Sequence, residues 1–116
     1  MGEYRLNAWI LLAVGIVFEV TGTTLMKLSN GFAHPGYMLG CLACFGVALA
    51  FIAMAMRSLE IGVVYAIWSG LGVVLITLIG RVFFQEVLDW LSVFFIALIV
   101  IGVVGLFLFT EARSHG

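Results

Sequence analysis

Charge is scarce in this sequence. Asp, Glu, Lys and Arg make up 9% of its 116 residues, against about 25% in a typical soluble domain. Six acidic and five basic side chains leave a formal net charge of -1. That excludes nucleic-acid binding, which needs a basic face to displace counterions. Proline occurs once, at Pro35, beside 14 glycines, and with this apolar composition the profile excludes disorder, a coiled coil and a collagen-like repeat. The two cysteines, Cys41 and Cys44, lie inside an apolar run and form no secreted disulfide framework. With no histidine or carboxylate close by in sequence, they read as small packing residues and not as a metal site. No motif calls for a cofactor. An enzyme is disfavoured too, because the apolar segments hold one carboxylate and no nucleophile–base pair.

What the chain has in abundance is apolar surface. Hydrophobic residues make up 65%, and the mean hydropathy is +1.29. A soluble fold this small cannot bury so much, because its surface-to-volume ratio is too high. The charges divide the chain into apolar segments at residues 7–28, 36–56, 62–80 and 90–109. A bilayer core of about 30 Å needs roughly 20 helical residues per crossing. Lipid offers no partner to an unpaired backbone and no barrel pattern is present, so the segments are expected to be helices. The expected fold is therefore all-α, one transmembrane domain over residues 1–116 with four membrane-spanning helices. The joins at 29–35, 57–61 and 81–89 are short, which makes consecutive helices antiparallel neighbours. Arg5 before an apolar run superficially resembles a signal peptide. The run continues to Leu28, includes Glu19 and has no convincing small-x-small cleavage site, so a retained first span is expected.

With four spans, Arg5, Arg57 and Arg113 fall on one side of the membrane and Lys27 and Arg81 on the other. The bias that orients membrane proteins is therefore nearly balanced. The chain is expected to insert both ways round, or to pair with a partner of opposite orientation.

Glu19 is the ionisable side chain deepest in any span. It follows Asn7 by 12 residues and precedes Leu28 by 9, or roughly 18 Å and roughly 14 Å of helix rise. A charged side chain facing lipid there costs roughly 2.5–3.5 kcal/mol even on permissive insertion scales. Glu19 is therefore expected to face a protein interior or a wet cavity, where low dielectric disfavours a bare charge. Such a group holds either a proton or a cation. No basic residue lies near it in any span, which makes cargo or H+ its natural counter-ion. A protonated Glu19 acting only as an interhelical hydrogen-bond donor is the alternative. Leu12, Gly15, Gly22, Thr23 and Met26 share its helix face. Gly15 and Gly22 either leave room for a ligand or let another helix approach closely. Thr21, Thr23 and Thr24 are weaker signals, since threonine hydroxyls in a span often bond their own i-4 carbonyl. Trp9 reads as an interfacial anchor or as one wall of a pocket, and its spacing favours the anchor.

The third span opens with Gly62-Val63-Val64-Tyr65-Ala66-Ile67-Trp68-Ser69-Gly70. Tyr65, Trp68 and Ser69 share a face. The phenol can donate to Glu19, and the indole can stack on a flat or quaternary cation. An aromatic belt at the membrane interface is the alternative. Gly70 and Gly72 weaken the helix in mid-span and permit a bend. In the fourth span Gly102 and Gly105 make a notch among large apolar side chains, which reads as an assembly surface. Four thin helices with one carboxylate cannot easily enclose a site with two gated exits. A dimer, with two copies of Glu19 facing each other, is expected. Antiparallel subunits that exchange shapes would open such a site to alternate sides.

Glu19-Val20-Thr21-Gly22-Thr23-Thr24-Leu25-Met26-Lys27, then Gly31-Phe32, then the Gly62–Gly70 run, resemble the small multidrug resistance family of bacterial inner-membrane transporters. The resemblance covers nearly the whole chain. It implies an antiparallel dimer that exchanges protons for hydrophobic cations, with Glu19 as the shared proton and substrate carboxylate. It further implies that Tyr65, Trp68 and Trp9 are aromatic pocket residues, with Gly22 and Thr23 beside the glutamate. Phe45 falls where some multidrug members have a pocket-lining tyrosine. Gly70 and Gly72 match the family's third-helix bend. Gly22 stands where the guanidinium-exporting branch typically has tryptophan, which points to hydrophobic or quaternary ammonium cations rather than guanidinium or a metabolic amine. Gln85-Glu86 departs from the family's usual Gly then Gln or Glu before the fourth helix. In that helix, the family's main dimer contact, Gly102 matches a small residue. Phe95 replaces a common glycine, which leaves open a homodimer or a pair with a related small chain.

Overall fold

The structure, a computed structural model, describes residues 2–115, with side chains from 5 to 113. Among the described residues the secondary structure is four α-helices: α1 (Gly2–Leu28), α2 (Pro35–Ala55), α3 (Ile61–Phe83) and α4 (Trp90–His115). All four contain stretches long and apolar enough to cross a membrane: Arg5–Leu28, Pro35–Ala55, Ile61–Phe83 and Trp90–Arg113. α1, α3 and α4 extend beyond the apolar segments read from the sequence, whereas α2 starts one residue before its segment and stops one residue before that segment's end. Charged residues do not mark where a helix stops. Thr110 to Arg113 keep the α4 ladder going beyond Phe109, and Arg81 does not end α3.

The chain divides into two compact units, Met1–Glu60 and Ile61–Gly116. Each contains one helical hairpin.

In the first unit, Pro35 sits at the start of α2, where its missing N–H costs nothing, and His34 before it is extended. The turn between α1 and α2 is tightly specified. Asn30, Gly31 and Phe32 are all left-handed, with φ of 52°, 70° and 67°. For a bulky residue such as Phe32 this is an outlier that the surroundings must enforce. Ser29 supplies the enforcement. It is fully buried. Its hydroxyl donates to the Met26 carbonyl at 2.7 Å and accepts from the Phe32 N–H at 3.0 Å. Its carbonyl accepts from the His34 N–H at 3.1 Å. Ser29→Ala should strand the Phe32 donor and destabilise the hairpin by about 1–2 kcal/mol. A thermal melt in detergent measures this, and an unchanged midpoint would show that the clasp contributes nothing.

In the second unit, α3 ends with Gln85 left-handed at φ 57°. The Gly80 carbonyl accepts from both Phe84 and Glu86 N–H groups, and the Glu86 carboxylate lies over Gly80. Asp89 then caps α4: its carboxylate accepts the Ser92 N–H at 2.8 Å. The Ser92 N–H and hydroxyl hold the Asp89 carboxyl below its ordinary value.

Candidate functional site

The residues singled out in the sequence fall into one group in each unit. In the first, Glu19 is half-buried on α1. The Thr23 hydroxyl, one turn on, lies 3.0 Å from the Glu19 carbonyl oxygen and 3.1 Å from Glu19 Oε1. Thr21 and Thr24 donate to the carbonyls of Val17 and Val20 at 2.8 and 2.9 Å, the back-bonding expected of hydroxyls in an apolar segment.

α2 packs closely against both glycines flanking Glu19. A Cβ on Gly22 would lie 2.7 Å from the Phe45 ring and 3.2 Å from Cys44 Cβ. At Gly15 it would lie 2.8 Å from Ile52, 3.2 Å from the Ala48 carbonyl and 3.3 Å from Phe51 Cβ. Of the two readings of these glycines, close helix approach is the one seen in the hairpin. Van der Waals packing of this kind is what holds helices together in lipid. Phe18 and Phe51 stack across the same interface, with ring centroids 6.1 Å apart and planes 7° from parallel. Cys41 is buried and Cys44 half-buried, both as free thiols. Trp9 is half-buried, ten residues and roughly 15 Å of helix rise from Glu19.

In the second unit, Tyr65 and Trp68 meet edge to face, centroids 5.6 Å apart at 67°. Tyr65 is 61% exposed, while Trp68 is half-buried. The Ser69 hydroxyl donates to the Tyr65 carbonyl at 2.7 Å, so its proton is committed to its own helix and its oxygen remains an acceptor. α3 continues unbroken through Gly70 and Gly72. Gly72 is buried. Gly70 is where α4 packs: a Cβ there would collide with Val103 and lie 3.3 Å from Ile99. Beside this contact runs an apolar groove of about 480 Å³ lined by Ala66, Ser69, Gly70, Val73, Ile99, Gly102, Val103 and Leu106. The positions a Cβ would take on Gly102 and Gly105 are open. Phe95 is 52% exposed and packs edge to face on Phe94. None of α4's most apolar stretch is buried.

Two features had no signal in the sequence. The Ser29 clasp looks there like an ordinary turn serine. Thr110 is buried, its hydroxyl without a hydrogen-bond partner among the described residues.

The sequence matches, over residues 7–99, the family model described as Small Multidrug Resistance protein. Among similar proteins, the uncharacterised membrane protein YvaE of Bacillus subtilis is 44% identical over 98 residues, 84% of this chain and 82% of YvaE. The quaternary ammonium compound-resistance protein QacF of Klebsiella aerogenes is 37% identical over 107 residues, 92% of this chain and 97% of QacF. The multidrug transporter EmrE of Escherichia coli K12 is 36% identical over 110 residues, 95% of this chain and all of EmrE.

Proposed function

The chain belongs to the small multidrug resistance family, and from that membership we infer that it is a proton-coupled antiporter of hydrophobic and quaternary ammonium cations. It is a multi-pass protein of the bacterial inner membrane and a transporter, not an enzyme. The observation that carries the mechanism is Glu19: one carboxylate deep in an apolar helix, held by Thr23, on a helix whose next charged residue is Lys27, eight positions on.

Glu19 takes the proton and the cation in turn. In a low-dielectric surrounding a bare carboxylate is costly, so the proton leaves as the cation arrives and the reverse. The Tyr65–Trp68 pair provides aromatic faces for the cargo, since an indole or phenol ring attracts a desolvated cation. Trp9 and Phe45 in the first unit, and the Ser69 oxygen in the second, are further residues assigned to the cargo. Gly70 and Gly72, through which α3 runs unbroken in this structure, are the positions that permit it to bend during exchange. The protein works as a dimer assembled through α4, in which Phe95 and Gly102 lie at the contact. The uncovered apolar face of α4, with open space at Gly102, supports that assignment.

The test is reconstitution of this chain in liposomes, with a proton gradient driving uptake of tetraphenylphosphonium or a quaternary ammonium ion. Accumulation should require the gradient and collapse with a protonophore. Trp68→Leu should weaken apparent affinity roughly tenfold, the scale of a desolvated cation–π contact. Uptake indifferent to the gradient would overturn the antiport mechanism. Equal loss of binding and of thermal stability in Trp68→Leu would make that residue a packing element.

A further inference from the structure

The Thr23 hydroxyl has two acceptors within reach, at 3.0 and 3.1 Å, and one hydrogen to give. Thr21 and Thr24 on the same helix each donate to a single i-4 carbonyl. The two acceptors of Thr23 differ in kind. The Glu19 carbonyl is a constant acceptor. The Glu19 carboxylate changes with the transport cycle: charged, it is the stronger partner, because a hydrogen bond to an ionised group is roughly twice as strong as a neutral one. Protonated, it no longer competes with the carbonyl, and its own O–H can donate to the Thr23 oxygen.

We propose that Thr23 is a positioning residue whose hydroxyl switches between the Glu19 carbonyl and the Glu19 carboxylate with the charge on Glu19, thereby stabilising the empty, deprotonated state through which proton and cation exchange. This deepens the antiport reading and rests on it. The bare carboxylate is the costliest state of such a cycle. A donor already on the same helix lowers that cost without helix movement, and it withdraws to the carbonyl when a proton arrives. The hydroxyl therefore tunes competition between proton and cation more than it adds cation affinity.

The titratable groups around it are few. α2 packs on this stretch at Gly15 and Gly22 and contributes two thiols, Cys44 against Gly22 and the buried Cys41. On α1 itself the next titratable residue is Lys27, four positions beyond Thr23.

The experiment is calorimetric titration of the purified protein with tetraphenylphosphonium, from mildly acid to alkaline pH, for wild type, Thr23→Val, Thr23→Ser and Cys44→Ala. Valine keeps the shape and removes the donor. It should move the pH midpoint of cation binding up by about one unit, an approximately tenfold weakening on the acid side. Affinity on the alkaline plateau should be unchanged. Serine keeps the donor and should restore the wild-type midpoint, and Cys44→Ala should leave it in place. A packing role predicts the reverse, with isosteric valine neutral and smaller serine defective. Unshifted Thr23→Val, or serine that fails to restore, overturns the proposal. If Thr23→Val does not fold, Thr23→Ala against Thr23→Ser makes the same comparison. Glu19→Gln separates the two levels. If it keeps the pH dependence, the antiport reading fails. If it loses the dependence while Thr23→Val shifts nothing, only the switch fails.

Discussion

Glu19→Gln should abolish proton release on cation binding and with it all coupled transport, while the four helices remain in place. Glutamine has the shape of a protonated glutamate and can still accept from Thr23, so the α1 geometry at Glu19 and Thr23 has no reason to change. What it loses is the ability to trade a proton for a cation. In the wild type, proton and cargo compete for one group. Cation affinity should therefore rise with pH and level off once protons no longer compete. By linkage, each cation bound should release protons, most strongly on the acid side of that plateau. Calorimetry of tetraphenylphosphonium binding in buffers of different ionisation heat measures the release directly. Glu19→Asp keeps the charge but retracts it by a methylene, and should retain exchange with a shifted pH profile. Wild-type binding that is flat with pH and moves no protons would show that Glu19 is not the shared site.

Much of this architecture is legible in the sequence, because in a membrane the composition of a segment nearly dictates its structure. Four apolar runs separated by charges give four helices, since the backbone has no other way to satisfy its polar groups in lipid. Glu19 stands out for the same reason. In a soluble protein one more glutamate says nothing, whereas here it is the deepest ionisable group. The threonine back-bonds follow from local geometry alone. Helix periodicity, however, shows which residues share a face and not what lands on it. Gly15 and Gly22 could equally have lined a ligand cavity or admitted a helix, and only the register of α2 puts Ile52 on one and Phe45 on the other. Ser29 is illegible for a related reason. Its role depends on three consecutive left-handed residues, two of which, Asn30 and Phe32, lack glycine's freedom to adopt that conformation.

The contact at Gly22 carries the other large effect. A valine there would place its Cβ 2.7 Å from Phe45 Cδ1, 2.8 Å from Cε1 and 3.2 Å from Cys44 Cβ. The Cys44 contact needs only a few tenths of an ångström, whereas the Phe45 ring carbons are too close to stay where they are. The ring must turn or the helices separate locally, and overpacking of this kind costs about 1–3 kcal/mol. No hydrophobic effect in lipid drives them back together, so the lost contact is not recovered elsewhere. Gly22→Val should lower the detergent melting midpoint and weaken cation binding together, because Glu19 lies three residues away on the same helix. Phe45→Ala vacates the space that the valine needs. Added to Gly22→Val, it should recover stability, so the double mutant is less damaged than the sum of the singles, with a coupling of about 1 kcal/mol or more. Purely additive losses would mean that Phe45 does not occupy the space beside Gly22 in the membrane. Recovery of the melt without recovery of binding would instead identify the Phe45 ring as a contact for the cargo itself, separate from its packing on α1.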